Sequence, residues 1–143
     1  MSDSERPMLE SPLPSDEWQW PRVHWHAFAV TPDSATPSND RIGYRHRPPE
    51  AVLRSPWAVA SWIDDQTRQH VSHREVWAAH GGEWVAIGDE EDLDHLRREN
   101  YGIAARGDSI HTDIYADLVR HELVVEAVTD EQCRHGCAAG TAD

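Results

Sequence analysis

The sequence predicts an α+β fold: a small, mainly antiparallel sheet packed with two or three helices. Three observations carry that expectation. A two-residue alternation of apolar positions runs through 23–30, Gly81-Gly82 divides a hairpin spanning 75–88, and two helix starts stand at Ser55-Pro56 and Asp89-Glu90.

Residues 1–17 hold three prolines, four serines and five acids, and they read as a disordered acidic tail. Trp18 and Trp20 open an alternation that becomes a strand over 23–30. Val23, Trp25, Ala27 and Ala29 then share one face, and His24, His26, Phe28 and Val30 the other. Thr31–Arg41 is polar and turn-rich, so a loop is expected. Arg41, Arg45, Arg47 and Arg54 follow as a locally basic stretch, in which Pro48-Pro49 ends any strand through Tyr44.

Ser55 is a hydroxyl N-cap, and Pro56 fits the first helical position, where its missing N–H costs nothing. Val59, Trp62, Ile63 and Gln66 fall at helical spacing, giving a buried stripe to about His70. In the hairpin, the glycine pair supplies the positive φ angles of a two-residue turn. With that register Val76, Ala78, Val85 and Ile87 line one face, and Trp77, Ala79, Trp84 and Ala86 the other. Both faces are apolar, which suggests cover on both sides or a partner.

Asp89-Glu90-Glu91-Asp92 opens a second helix with acids at its positive dipole end. Arg97 and Arg98 fit its last turn, and Asn100-Tyr101-Gly102 its end. A short strand is expected at Ile103–Ala105, followed by a turn at Arg106–Ser109 and a return through Ile110. From Thr112 the period is ambiguous. Ile114, Tyr115, Leu118 and Val119 suit a helix, whereas Leu123–Val128 suits a strand. Thr129 and Gln132 form a capping-box pattern for a last short helix. A single domain over 18–132 and a frayed tail over 133–143 follow.

Composition bounds the function. The chain has 143 residues and a formal net charge of −13, with 26 acidic residues against 13 arginines and no lysine. Such a field repels phosphate, so direct nucleic-acid binding and anionic membranes are disfavoured and a partner with a basic face is favoured. No apolar run approaches the length of a membrane span, and the N-terminus lacks the pattern of a signal peptide. With two cysteines and no disulfide framework, a cytoplasmic location is expected.

Two segments hold metal-ligand chemistry. Cys133-Arg134-His135-Gly136-Cys137 is dense in soft donors, with His121 a candidate fourth. Its spacing departs from that of common zinc fingers, and on a helix His135 points away from the two cysteines. His24 and His26 share a strand face, but no glutamate follows closely and ten histidines make such a pair expected by accident. No metal and no cofactor are therefore expected. His111 with Asp113, and His121 with Glu122, are acid–base pairs that sequence closeness alone does not support. No nucleophile elbow or phosphate-binding glycine loop occurs.

The functional expectation is a small interaction protein: an inhibitor, immunity or accessory factor docking on a basic partner, such as a nuclease or another nucleic-acid-binding protein. Its contact residues are expected at Trp77 and Trp84 together with Asp89, Glu90, Glu91 and Asp94, because aromatic anchors dominate interfaces. Self-association as a homodimer stays open. The alternative is a small enzyme or ligand-binding domain with a pocket lined by tryptophan and histidine.

Overall fold

The computed structural model describes residues 16–19, 22–30, 48–71, 76–80, 83–133 and 137. These residues form six strands and two helices: β1 (Val23–Val30), β2 (Ala51–Leu53), α1 (Pro56–Val71), β3 (Trp77–His80), β4 (Glu83–Ala86), α2 (Glu90–Ala105), β5 (Ile110–Ala116) and β6 (Val119–Thr129). The strands form one antiparallel sheet in the order β2-β1-β6-β5-β3-β4. Both helices pack on the same side. The expected α+β architecture is what the chain adopts. No helix among the described residues is long and apolar enough to cross a membrane.

The alternation in β1 sets the two layers. Val23, Trp25 and Ala27 join Val59 and Ile63 of α1, Leu93 and Ala104 of α2, and Leu123 and Val125 of β6 in one core. Trp25 is completely buried, and its indole N–H donates to the Asp108 carbonyl at 3.0 Å. That bond satisfies the one polar atom the ring takes into the core. The opposite sheet face carries His24, His26, Phe28, Val124 and Glu122, all of them buried as well. Phe28 and Val124, directly paired across the strands, form a second small apolar cluster there.

Helix α1 begins as its sequence dictates, with Ser55 Oγ accepting from the Ala58 N–H at 3.1 Å. The β3–β4 register is also the expected one: Trp77 pairs with Ala86, Ala78 with Val85 and Ala79 with Trp84. Ala78 lies in the helix-side core, whereas Trp77 and Trp84 stand 42% and 48% exposed on the other face. The turn at Gly81-Gly82, the Thr31–Arg41 loop, Trp20 and the acidic tail before residue 16 lie outside the described residues. So do Arg41, Tyr44, Arg45 and Arg47.

One expectation is corrected, one ambiguity is resolved and one element is added. Helix α2 does not end at Gly102 but runs to Ala105, so no strand forms at Ile103–Ala105. Gly102 has open space where a Cβ would sit, and the stop comes at Gly107, at φ +83°. There Gly107 N–H donates to Ala104 and Asp108 N–H to Ile103, the paired bonds of a Schellman ending. The ambiguous period beyond Thr112 resolves as a strand: residues 110–116 continue the expected return through Ile110. They belong to a hairpin with β6 that turns at Asp117 and Leu118, both at positive φ (55° and 67°). An Asp-Leu pair is an unusual choice for such a turn, which hid it. The added element is β2, which begins after Glu50, just past Pro48-Pro49, and pairs with β1.

Candidate metal centre

The long β1–β6 ladder positions the site. His24 lies opposite Val128 and His26 opposite Glu126, so both imidazoles stand near the end of β6. There the capping box at Thr129 forms: Gln132 N–H donates to Thr129 Oγ1 at 3.2 Å, and Thr129 N–H to Gln132 Oε1 at 2.9 Å. Over the described residues it closes a single turn and not the expected short helix, and Cys133 N–H donates back to the Thr129 carbonyl at 3.0 Å. The reversal carries the chain onto the face that holds the two histidines.

Four donor atoms converge as a result. His26 Nε2 lies 3.2 Å from His24 Nε2, 3.7 Å from Cys133 Sγ and 3.5 Å from Cys137 Sγ. All four ligand atoms fall within 4.8 Å of one another. A tetrahedral zinc ion with bonds of about 2.0–2.1 Å to nitrogen and about 2.3 Å to sulfur spaces its ligands about 3.3 Å apart for N and N and about 3.6 Å apart for N and S. The three distances around His26 match those edges. Two imidazoles and two thiols are also the donor set zinc favours.

The surroundings suit the same ion. Asp130 Oδ1 is 3.7 Å from His24 Nδ1, the position of a carboxylate that orients a ligating imidazole from behind. Arg54 donates from Nη2 to the Cys137 carbonyl at 3.1 Å and anchors the segment carrying that thiol. Burial, reinforced by Arg54, pushes the His24 pKa down against the opposing pull of Asp130. His24 is thereby held in the neutral form that binds metal. Burial and the adjacent Cys133 thiol push the Cys137 pKa up, because two neighbouring sulfurs resist ionising together. A bound dication reverses that preference. An open cavity of about 440 Å³ adjoins the cluster, with His26, Glu126, Glu131, Gln132 and Cys133 in its wall.

The two pairs that looked insufficient separately are halves of one cluster. His121, the suggested fourth ligand of the C-terminal group, belongs to the other sheet face, where its ring stacks on His70 at 3.9 Å. His135 lies outside the described residues. The signals for the site were the shared face of His24 and His26 and the capping box ahead of Cys133.

The residues expected to contact a partner separate into two groups. Trp77 and Trp84 share the face opposite the helices with Tyr115, whose ring meets Trp84 edge-on at 6.2 Å. The acids belong to the helix layer and are largely engaged within the chain. Asp89 caps α2 by accepting from the Asp92 N–H, and Glu90 takes both Arg68 Nη atoms at 2.7 and 2.9 Å. Asp94 holds Arg97 and Arg98 at 2.8 and 2.5 Å, while Glu91 is exposed.

His111 and Asp113, a pair that sequence closeness alone did not support, share a face because residues two apart on β5 project alike. Glu122 joins them from β6, with its Oε2 2.6 Å from His111 Nε2. No protein family model matches this chain, and no curated protein or solved structure matches it.

Proposed function

We propose that this chain is a zinc-binding interaction domain in which His24, His26, Cys133 and Cys137 hold one structural Zn²⁺. The convergence of four zinc-type donors at tetrahedral spacing, from segments more than 100 residues apart, carries the reading. This replaces the expectation of no metal, which weighed the C-terminal Cys/His group and the His24–His26 pair separately.

Four protein ligands close the coordination shell, so the ion leaves no position for substrate and its contribution is to stability. It ties the segment after β6 to β1. The function then lies in what the stapled sheet presents. Exposed Trp77, Trp84 and Tyr115 supply aromatic anchors, and the net charge of −13 favours a protein partner with a basic surface. The local acids contribute through the summed field more than through free carboxylates, since Glu90 and Asp94 already hold arginines.

Elemental analysis of the purified protein tests the metal. About one zinc per chain is expected, with most of it lost in Cys133→Ser and in His26→Ala. A protein that folds, carries no zinc and takes none up from solution would rule the centre out.

A further inference from the structure

We infer that His111, Asp113 and Glu122 form a second metal site, chemically unlike the first, for a divalent ion of the Mn²⁺ or Fe²⁺ kind with open coordination positions. It is independent of the zinc centre. Glu122 lies four residues before Glu126 on β6, about 13 Å along the strand, and the buried Phe28–Val124 pair stands between the two sites.

The geometry is that of a three-point cradle. His111 Nε2 is 2.6 Å from Glu122 Oε2 and 3.7 Å from Asp113 Oδ1, and the three ligand atoms lie within 4.8 Å of one another. Ligands at neighbouring positions of an octahedral ion with bonds of about 2.1 Å stand about 3.0 Å apart, inside that range. Two carboxylates and one imidazole are the donors such ions take, whereas the sulfur-rich centre near β1 selects zinc.

Charge and hydrogen bonding also point to a cation. Asp113 and Glu122 are direct cross-strand partners, and the Glu122 side chain is only 1% exposed. Like charges directly opposite each other destabilise a sheet. Arg120 offsets part of this from 3.7 Å, but it reaches Asp113 Oδ2. The other oxygen, Asp113 Oδ1, is buried and has no hydrogen-bond partner among the described residues. It faces the His111 imidazole that also meets Glu122. A dication between the three atoms would neutralise both carboxylates and use that oxygen as a ligand.

Three protein ligands leave about half of an octahedral shell to water or an oxygen-donor ligand. The His111 and Asp113 side chains are 18% and 20% exposed, so one side of the cradle reaches solvent. This second ion would be the reactive one. The Cys/His ion is closed.

Mn²⁺ titration of the purified protein, read by electron paramagnetic resonance and water-proton relaxation, tests the assignment. About one bound Mn²⁺ is expected, with enhanced relaxation because the ion keeps water in its open positions. Asp113→Asn and His111→Gln should each weaken binding by at least about tenfold. Asp113→Asn, which removes one of the opposed charges, should keep the wild-type thermal midpoint in metal-free buffer. Absence of Mn²⁺ binding to the wild type, or wild-type affinity in whichever of the two variants folds, would overturn the site. Binding without relaxation enhancement would overturn its open coordination.

Discussion

His26 Nε2 lies 3.5 Å from Cys137 Sγ, although 111 positions separate the two residues in the chain. One donor is fixed by β1, second from the edge of the sheet, and the other by the segment that follows the last strand. An ion that joins them closes most of the chain into a loop, so metal binding and global stability are coupled.

Removal of the metal should therefore lower the melting temperature. For zinc present at about 100 times its dissociation constant, linkage gives about 2.7 kcal/mol, or roughly 8 °C for a chain of this length. Thermal denaturation with and without a strong chelator measures it. Cys133→Ser and Cys137→Ser should each reproduce much of the loss, and the double variant should add little. An unchanged midpoint in chelator would separate the cluster from stability.

Acid should weaken the same centre. His24 has a folded pKa below its ordinary 6.5, so the unfolded chain binds more protons on acidification. Its contribution is present above about pH 6.5 and is lost as the pH falls from there towards the folded value. Competition of protons for the ligands works in the same direction when zinc is bound. Denaturant midpoints at pH 7.5 and pH 5.5 should fall with pH, and less in His24→Gln. A midpoint that rises on acidification would contradict the sign.

The turn between β5 and β6 is open to improvement. Asp117 and Leu118 hold positive φ angles, and Leu118 is 81% exposed, so its side chain buries little. Leu118→Gly should stabilise the protein by about 1 kcal/mol, because glycine adopts that conformation without steric cost. Chemical denaturation would reveal it. A loss of stability would mean that the exposed leucine has a packing role.

On the proposed docking face, Trp84→Ala should leave the fold intact and raise the dissociation rate from a basic protein partner. Glu91→Lys is the cleaner charge probe, because reversing Glu90 or Asp94 also breaks pairs with Arg68, Arg97 and Arg98. It should slow association at low salt and much less at high salt. Surface plasmon resonance with a partner isolated by pull-down reads both rates. Wild-type kinetics in both variants would remove this face from the binding site.

The local sequence determined β1, the start of α1, the register of β3 with β4 and the acidic start of α2. Each depends on signals a few residues apart: a two-residue period, a hydroxyl before proline, a pair of glycines, or acids at a dipole. It failed where such a signal was weak or misleading. Gly102 resembled a helix stop yet fits inside the helix, and Asp117-Leu118 turns a hairpin without glycine or asparagine. The ingredients of the proposed metal centre were also local, since His24 and His26 share a face by strand geometry and the capping box reverses the chain just before Cys133. Only the tertiary structure decided that the two pairs meet. That meeting depends on the antiparallel register of β1 with β6, which sets His24 beside Val128 and His26 beside Glu126. The same holds for His111, Asp113 and Glu122, which only the β5–β6 pairing gathers. Strand pairing across the chain is fixed by burial of a shared core, a property of all its residues together rather than of any short stretch.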